Sequence, residues 1–399
     1  MRSIIKEKII PVLVLIAVLC SIFFLGVYYG KLGVPKLPPE VPEGVDFSLL
    51  WEVWEKLEEK YPRPLDYQKM IYGAASGLVE SLGDPYTVFF TPEESKIFEE
   101  DISGVFEGVG MEIGIREKEL TVIAPLEGTP AQKAGLRAGD KILKINNDST
   151  NGMTLDEAVK LIRGPKGTEV RLTISREEWD SPKEFKIIRA VIQIPSLKWE
   201  IKEIPATGEQ IAYIKLYQFS ERISSDFKKA ALEILDSPVQ KIILDLRNNP
   251  GGLLHKAQDI AGWFLKRGDI VVIEDFGGTK ASVEYKAKGN SLFLNYPTVV
   301  LINKGSASGA EILAAALRDN RGVKLVGETS FGKGMVQQPV SLKGGATLKV
   351  TVAQWLTPKG KLIEGVGLKP DYPVEITEED YKAGRDPQLD KAIEILENL

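Results

Sequence analysis

The chain has 399 residues, 27% charged and 43% hydrophobic, with a formal net charge of -5 at pH 7. That length admits two or three domains with an ample core, and the acidic balance gives no reason to expect nucleic acid as a partner. With one histidine and one cysteine in the whole chain, there is no His/Cys cluster for a metal and no intrachain disulfide, and no cofactor is expected.

Ile9 to Tyr29 is uncharged, nearly continuously apolar and long enough to cross a bilayer, and Arg2, Lys6 and Lys8 precede it. Residues 1–30 are therefore expected to form a single-pass membrane anchor. Everything after Lys31 would then be extracytoplasmic, in a periplasm or outside the cell. A cleaved signal peptide is the alternative, against which Val27, Tyr28 and Tyr29 stand where a small-x-small site would lie. Cys20 reads as a lipid-facing side chain of this segment. Residues 31–45, with repeated prolines, read as an extended tether.

Residues 46–103 are expected to be helical. Phe47, Leu50, Trp54, Leu57 and Tyr61 recur at helical spacing, as do Met70, Ile71, Ala74, Leu78 and Leu82. Gly83 closes the second helix, and Thr91, Pro92, Glu93 and Glu94 open a third with a capping pattern.

From 104 to 190 the texture changes to short strands and glycine turns. GVGMEI, then PLEGTPAQKAGLRAGDKILKINN, then MTLDEAVKLIRG, follow the order seen in PDZ domains. In such a domain a glycine-rich loop offers N–H groups to a peptide's terminal carboxylate, and the adjacent strand takes the peptide by β-augmentation. Gly108, Val109, Gly110 and Met111 would make the loop, and Val159 and Ile162 would face the last side chain. Arg163, at the end of that helix, reads either as a latch pairing across to the catalytic domain or as a solvated arginine favoured by the helix dipole.

Residues 191–399 have α/β texture. QIAYIKLYQF reads as a strand, the stretch from Ser220 as a helix, and QKIILDLR as a continuous apolar strand of a sheet covered on both faces. Its end runs into RNNPGG, where open α/β sheets put their sites. Gly251 or Gly252 would supply an oxyanion donor there, and Asp245 and Arg247 read as structural residues that could pair. LINKGSASGAEILAAALRDNRGVKLVGETSFGKGMVQQ is a strand–turn–helix–strand unit. Ser308 falls at its helix start, where free N–H groups and the helix dipole would stabilise an oxyanion, with Gly309 N–H as one donor. A serine nucleophile needs a base. Lys333, between two glycines, is one candidate if desolvated enough to be neutral; Gln337 offers it an uncharged hydrogen-bond acceptor. His255 is the conventional alternative base, and Ser306 a rival nucleophile. The spacing of FGKG and GPKG lacks the GxxxxGK[ST] nucleotide pattern, so no ATP dependence is expected. Asp386 to Leu399 reads as an amphipathic helix packing on the core or a partner.

GSASGAEI, FGKGMVQ, DLRNNPGG, GDPYTVFFTPEE and TPKGKLIEGVGLKPD resemble the signature segments of the carboxy-terminal processing proteases, also called tail-specific proteases. The resemblance covers nearly the whole chain after the N-terminal segment. It implies a multidomain α+β protein with an N-terminal membrane helix, a helical region that often makes a dimer contact, a β-barrel-like PDZ domain and an α/β crotonase-like protease core. It further implies a Ser–Lys endopeptidase in which Ser308 is nucleophile, Lys333 general base and Gln337 the residue orienting the lysine, acting on proteins with a free C-terminus. The family usually has Ala-Ser after the nucleophile, whereas this chain has Gly309 and Ala310. Two readings from other classes are a catalytically silent PDZ adaptor and an α/β enzyme acting on a small acyl substrate.

Overall fold

The structure, a computed structural model, describes residues 44–399 apart from residues 117, 127, 138, 177, 178 and 206. The expected anchor (1–30) and nearly all of the tether (31–45) lie outside the described residues. Among those described, no helix is long and apolar enough to cross a membrane. The described residues divide into two units, one ending at Met70 and the other Ile71–Leu399.

In the first unit the Ser48–Lys60 helix is amphipathic as its spacing predicts, yet it buries no residue; Leu50, Trp51, Val53 and Leu57 are all exposed. Trp54 stacks on Tyr67 at 5.4 Å between ring centroids, and Tyr67 begins the next helix, Tyr67–Glu80.

The second unit contains three sheets of consequence. The expected helical region also contributes a strand, Val88–Phe90, which the helical reading of residues 46–103 missed. It pairs antiparallel with Thr347–Leu356, and Thr351 N donates to Thr87 Oγ1 at 3.0 Å. The VFF triplet is too short for periodicity to reveal, and its partner is remote in sequence. The Pro92–Ser103 helix then starts as predicted, on a reciprocal Thr91/Glu94 capping box.

A two-stranded neck, Val105–Gly108 against Ala190–Gln193, carries the chain into and out of a six-stranded antiparallel sheet within Met111–Ile188. The alternating Val170, Leu172 and Ile174 point inward with Val122, Ile142 and Ile145 to form its core. The Leu155–Ile162 helix lies over this sheet. Thr154 and Glu157 cap its start, and the buried Arg189 guanidinium donates to the carbonyls of Leu161 and Ile162 at its end.

The α/β core is a six-stranded sheet ordered Leu197–Glu203, Gln210–Leu216, Lys241–Asp245, Thr298–Ile302, Lys324–Gly327 and Tyr372–Pro373. Only the first pairing is antiparallel. Thr298–Ile302 is buried throughout because helices cover both faces. One face packs on Ile223–Leu235, Leu254–Phe264 and Gly309–Arg321. The other packs on the C-terminal helix Pro387–Glu397 through Ala392 and Leu396. The helix expected from Ser220 begins at Ile223, since Ser220 is instead engaged with Ser196 across the chain at 3.1 Å.

The third sheet pairs Met335–Ser341 along Thr347–Leu356, which also pairs with Ile270–Asp275. It fixes the segment that follows Lys333.

Candidate active site

Two loops leave the C-terminal ends of neighbouring parallel strands, one after Asp245 and one after Ile302, and they are laced together. Asn248 N donates to Asn303 Oδ1 and Asn303 Nδ2 to Asn248 Oδ1, each at 2.8 Å. Ala307 N donates to Asn249 O at 3.0 Å. Ser306 is fully buried, its hydroxyl donating to Leu246 O at 2.8 Å and accepting from Asn303 N. The rival nucleophile is thus a brace between the loops.

Ser308 stands at φ 50, ψ -114, a conformation that an L-residue adopts only under constraint. Gly251 lies hard against it: a Cβ there would come within 2.7 Å of Ser308 Cβ and 2.8 Å of Gly309 N, at a φ of +94 that disfavours any side chain. Gly252 is equally fixed, since its Cβ would fall 2.4 Å from Phe219 O. Of the three glycines expected to supply oxyanion donors, Gly251 spends its N–H on Asn249 Oδ1 at 2.9 Å. Those of Gly252 and Gly309 have no acceptor among the described residues. A Cβ on Gly309 would sit 3.6 Å from Gly252 N, which puts the two glycines side by side. It would also press on the Phe219 ring at 3.2 Å, a physical reason for glycine where the resembling family has alanine.

Lys333 is held by its flanking glycines. A Cβ on Gly332 would meet Gly367 N at 2.8 Å, and one on Gly334 would meet Glu364 N at 2.7 Å, so the loop threads between backbones. Lys333 Nζ lies 5.5 Å from the centre of the Tyr86 ring. Burial pushes its pKa below the usual lysine value, against the opposing pull of the Glu364 and Glu311 carboxylates. Among the described residues no hydrogen bond joins Lys333 Nζ to Ser308 Oγ. Gln337, at an irregularity of the Met335–Ser341 strand, donates its amide to Met335 O at 2.9 Å and makes no bond to Lys333. His255 is exposed in the first turn of the Leu254–Phe264 helix and is not bonded to Ser308.

Glu311, which the sequence reading did not single out, joins the Ser308 turn to the Lys333 loop. It is fully buried. Its Oε2 accepts Ser308 N at 2.9 Å and Lys333 N at 3.0 Å, while Oε1 accepts Ser330 Oγ at 2.6 Å and Gly332 N at 2.8 Å. Burial raises its pKa, and these four donors offset part of that rise. The signal that could have found it is glutamate three residues after a serine at a helix start.

Asp245 and Arg247 are paired, as expected, and the pair extends to the C-terminal helix. Arg247 contacts Asp245 at 2.7 Å and Asp386 through two bonds of 2.8 Å, and donates to Gln388 Oε1 at 3.1 Å. Burial works against its charge, but the two carboxylates raise its pKa overall.

In the smaller domain, Val109, Gly110, Met111, Val159 and Ile162 line one cavity of about 70 Å³ together with Phe106 and Arg163. Gly108 is not in its wall; it lies in the neck strand against the Phe106 ring. The carbonyls of Val109 and Gly110 are taken by Ala131 and Leu126, whereas their N–H groups have no acceptor among the described residues. Arg163 is neither solvated nor paired to the α/β core. Its guanidinium lies 4.5 Å over Phe106 and pairs with Asp101 at 2.8 Å and Glu100 at 3.5 Å, both on the Pro92–Ser103 helix. Asp101 O in turn accepts from Gln218 of the core at 2.8 Å.

The geometry is that of a sheet-end serine with clustered N–H donors, a desolvated lysine and an attached smaller domain with a narrow apolar cavity. The sequence profile described as Peptidase family S41 matches residues 210–374, and that described as PDZ domain matches residues 101–175. The chain belongs to peptidase family S41 and is a serine peptidase bearing a PDZ domain. Its relatives narrow this to the carboxy-terminal processing proteases. It is 37% identical over 331 residues to the carboxy-terminal processing protease CtpA of Bacillus subtilis (strain 168), covering 83% of this chain and 69% of that one. To the carboxy-terminal-processing protease of Bartonella bacilliformis it is 38% identical, covering 81% of this chain and 74% of that one. Among solved structures it is similar to a photosystem II D1 C-terminal processing protease, with TM-score 0.55, 30% identity and coverage of 85% and 91% of the two chains.

Proposed function

We propose that the chain is an endopeptidase in which Ser308 attacks the scissile carbonyl and Lys333 serves as general base. The observation that carries this reading is the single Glu311 oxygen that takes the backbone N–H of both residues. In the reaction Lys333 accepts the Ser308 proton, the acyl-enzyme forms, and the protonated amine returns the proton to the leaving amine. The N–H groups of Gly252 and Gly309 receive the oxyanion. Lys333 then activates water for deacylation. Gln337 turns from Met335 O to the amine when substrate arrives, orienting it without adding charge.

The PDZ domain takes the free C-terminus of a protein substrate, with the carboxylate on the Val109 and Gly110 N–H groups and the last side chain against Val159 and Ile162. Residues 9–29 anchor the chain in a membrane and leave the peptidase extracytoplasmic. The helical region supplies a contact for a homodimer.

The test uses an unstructured protein with a free or an amidated C-terminus. The parent chain should cleave the free form faster, and Ser308→Ala and Lys333→Ala, once shown to be folded, should cleave neither. Cleavage by Lys333→Ala at the parent rate would remove the dyad. Equal rates on the two substrates would remove tail selection and leave the dyad standing.

A further inference from the structure

At the far end of the Gly309–Arg321 helix from Ser308 lies a groove of about 560 Å³ that the peptidase reading does not use. Its cations are Arg318, Lys324, Lys359, Lys361 and Lys369, with only Asp319 and Asp371 as acidic residues. Both acids are already engaged: Asp371 accepts Leu325 N at 2.9 Å, and Asp319 accepts Lys359 N at 3.3 Å and faces Arg318 at 3.8 Å. The four lysines are exposed, and among the described residues none has a carboxylate in ion-pairing range. In a chain of net charge -5 this is a local excess of unpaired positive charge.

We propose that this groove docks an acidic segment of a polypeptide. Charge complementarity selects an anionic partner, and shape selects its class. The lysines line the groove together with an apolar strip of Leu362 and Val366, 47% and 58% exposed, so an occupant that fills it offers carboxylates next to an apolar residue. A lone phosphate has no use for the strip. The location adds a consequence. The strip belongs to the segment whose other side holds the Lys333 loop, through Gly365 N to Gly332 O at 2.9 Å and Leu368 N to Ser330 Oγ at 2.6 Å. A docked chain therefore rests one backbone layer from the candidate general base.

The test is fluorescence anisotropy of a glutamate-rich peptide with a central leucine on the full chain carrying Ser308→Ala. Amidation of the peptide's C-terminus keeps it from a groove that reads a terminal carboxylate, so the result is independent of tail recognition and of cleavage. Binding is expected to saturate at low salt and to weaken as ionic strength rises from about 0.05 to 0.3 M. Lys361→Gln with Lys369→Gln should weaken it at least about fivefold, while Lys228→Gln with Lys229→Gln, on the exposed side of a distant helix, should leave it unchanged. Equal weakening by the two pairs, or no binding by the parent, overturns the proposal. So does capture of phosphatidylglycerol vesicles through the groove lysines in place of the peptide, which would assign the face to lipid.

Discussion

Ser308 and Lys333 give their backbone N–H groups to one oxygen of the same buried carboxylate, Glu311 Oε2, at 2.9 and 3.0 Å. The relationship fixes the two residues' main chains relative to each other even though their side chains are not bonded. Glu311→Gln keeps the size but puts an NH₂ group where one carboxylate oxygen accepted two bonds, so at least one buried N–H group, that of Gly332 or those of Ser308 and Lys333, is left unpaired. We expect about a 100-fold fall in kcat on a short peptide, with KM little changed, and slower labelling of Ser308 by a fluorophosphonate. A variant with parental kcat would show that the carboxylate only supports the fold.

The pH profile follows from Lys333. Its pKa lies below 10.5 because burial disfavours the ammonium. Between its folded value and 10.5 the unfolded chain holds the extra proton, so stability rises with pH across that window, and below it the full cost of burying the charge is felt. Two readouts share this origin. The log of kcat/KM should rise with pH to a midpoint below 10.5, and the stability gained by Lys333→Met should shrink as pH approaches 10.5. Glu364 raises the lysine's pKa, so Glu364→Gln should move the activity midpoint to lower pH. A shift to higher pH would contradict the assigned base.

Gly251 and Gly309 flank Ser308 but should tolerate change very differently. Gly251→Ala forces a Cβ to 2.7 Å from Ser308 Cβ, and the strained serine has nowhere to go. Activity should fall by at least about 1000-fold, with stability lower by roughly 1–3 kcal/mol. Gly309→Ala presses on the Phe219 ring at 3.2 Å and reaches Gly252 N only at an ordinary contact distance of 3.6 Å, so a loss within about tenfold is expected, recovered by adding Phe219→Leu. Kinetics and thermal melting of the three variants check this; equal losses at the two glycines would refute the packing account.

What the sequence made legible was local. The GSASG and FGKG turns, the Thr91/Glu94 cap and the apolar strand at Lys241–Asp245 each carry their cause within a few residues. What it hid was relational. Nothing near Gly251 says that its own N–H goes to Asn249 while that of Gly252 has no acceptor among the described residues. The partners of Arg163 lie on a helix some sixty positions earlier in the chain, so neither a latch to the core nor a solvated arginine describes it. Val88–Phe90 became a strand only because Thr347–Phe90 pairing offered an edge.

The last such relation reaches from the C-terminal helix to the loop that ends at Gly251 and Gly252. Asp386 caps the Pro387–Glu397 helix by accepting Leu389 N at 3.0 Å and grips Arg247 with both oxygens. Arg247 begins the turn that ends at Gly251 and Gly252, so the C-terminal helix helps to hold the loop that carries the proposed oxyanion donor Gly252. Asp386 pays for partial burial, but Arg247 and the helix-start N–H groups lower its pKa overall. The stability this contributes is therefore present above pH 3.8 and lost as pH falls through the lower folded value. Asp386→Asn retains a capping oxygen and loses the charge pair, and should cost about 1–3 kcal/mol by denaturant titration at pH 7. That cost should shrink toward zero as pH is lowered into the titration range, because the parent then loses the same charge. If the loop depends on the clamp, kcat will fall in the variant at temperatures where it is fully folded, while tail-peptide affinity stays parental. An unchanged kcat would confine Asp386 to holding the helix.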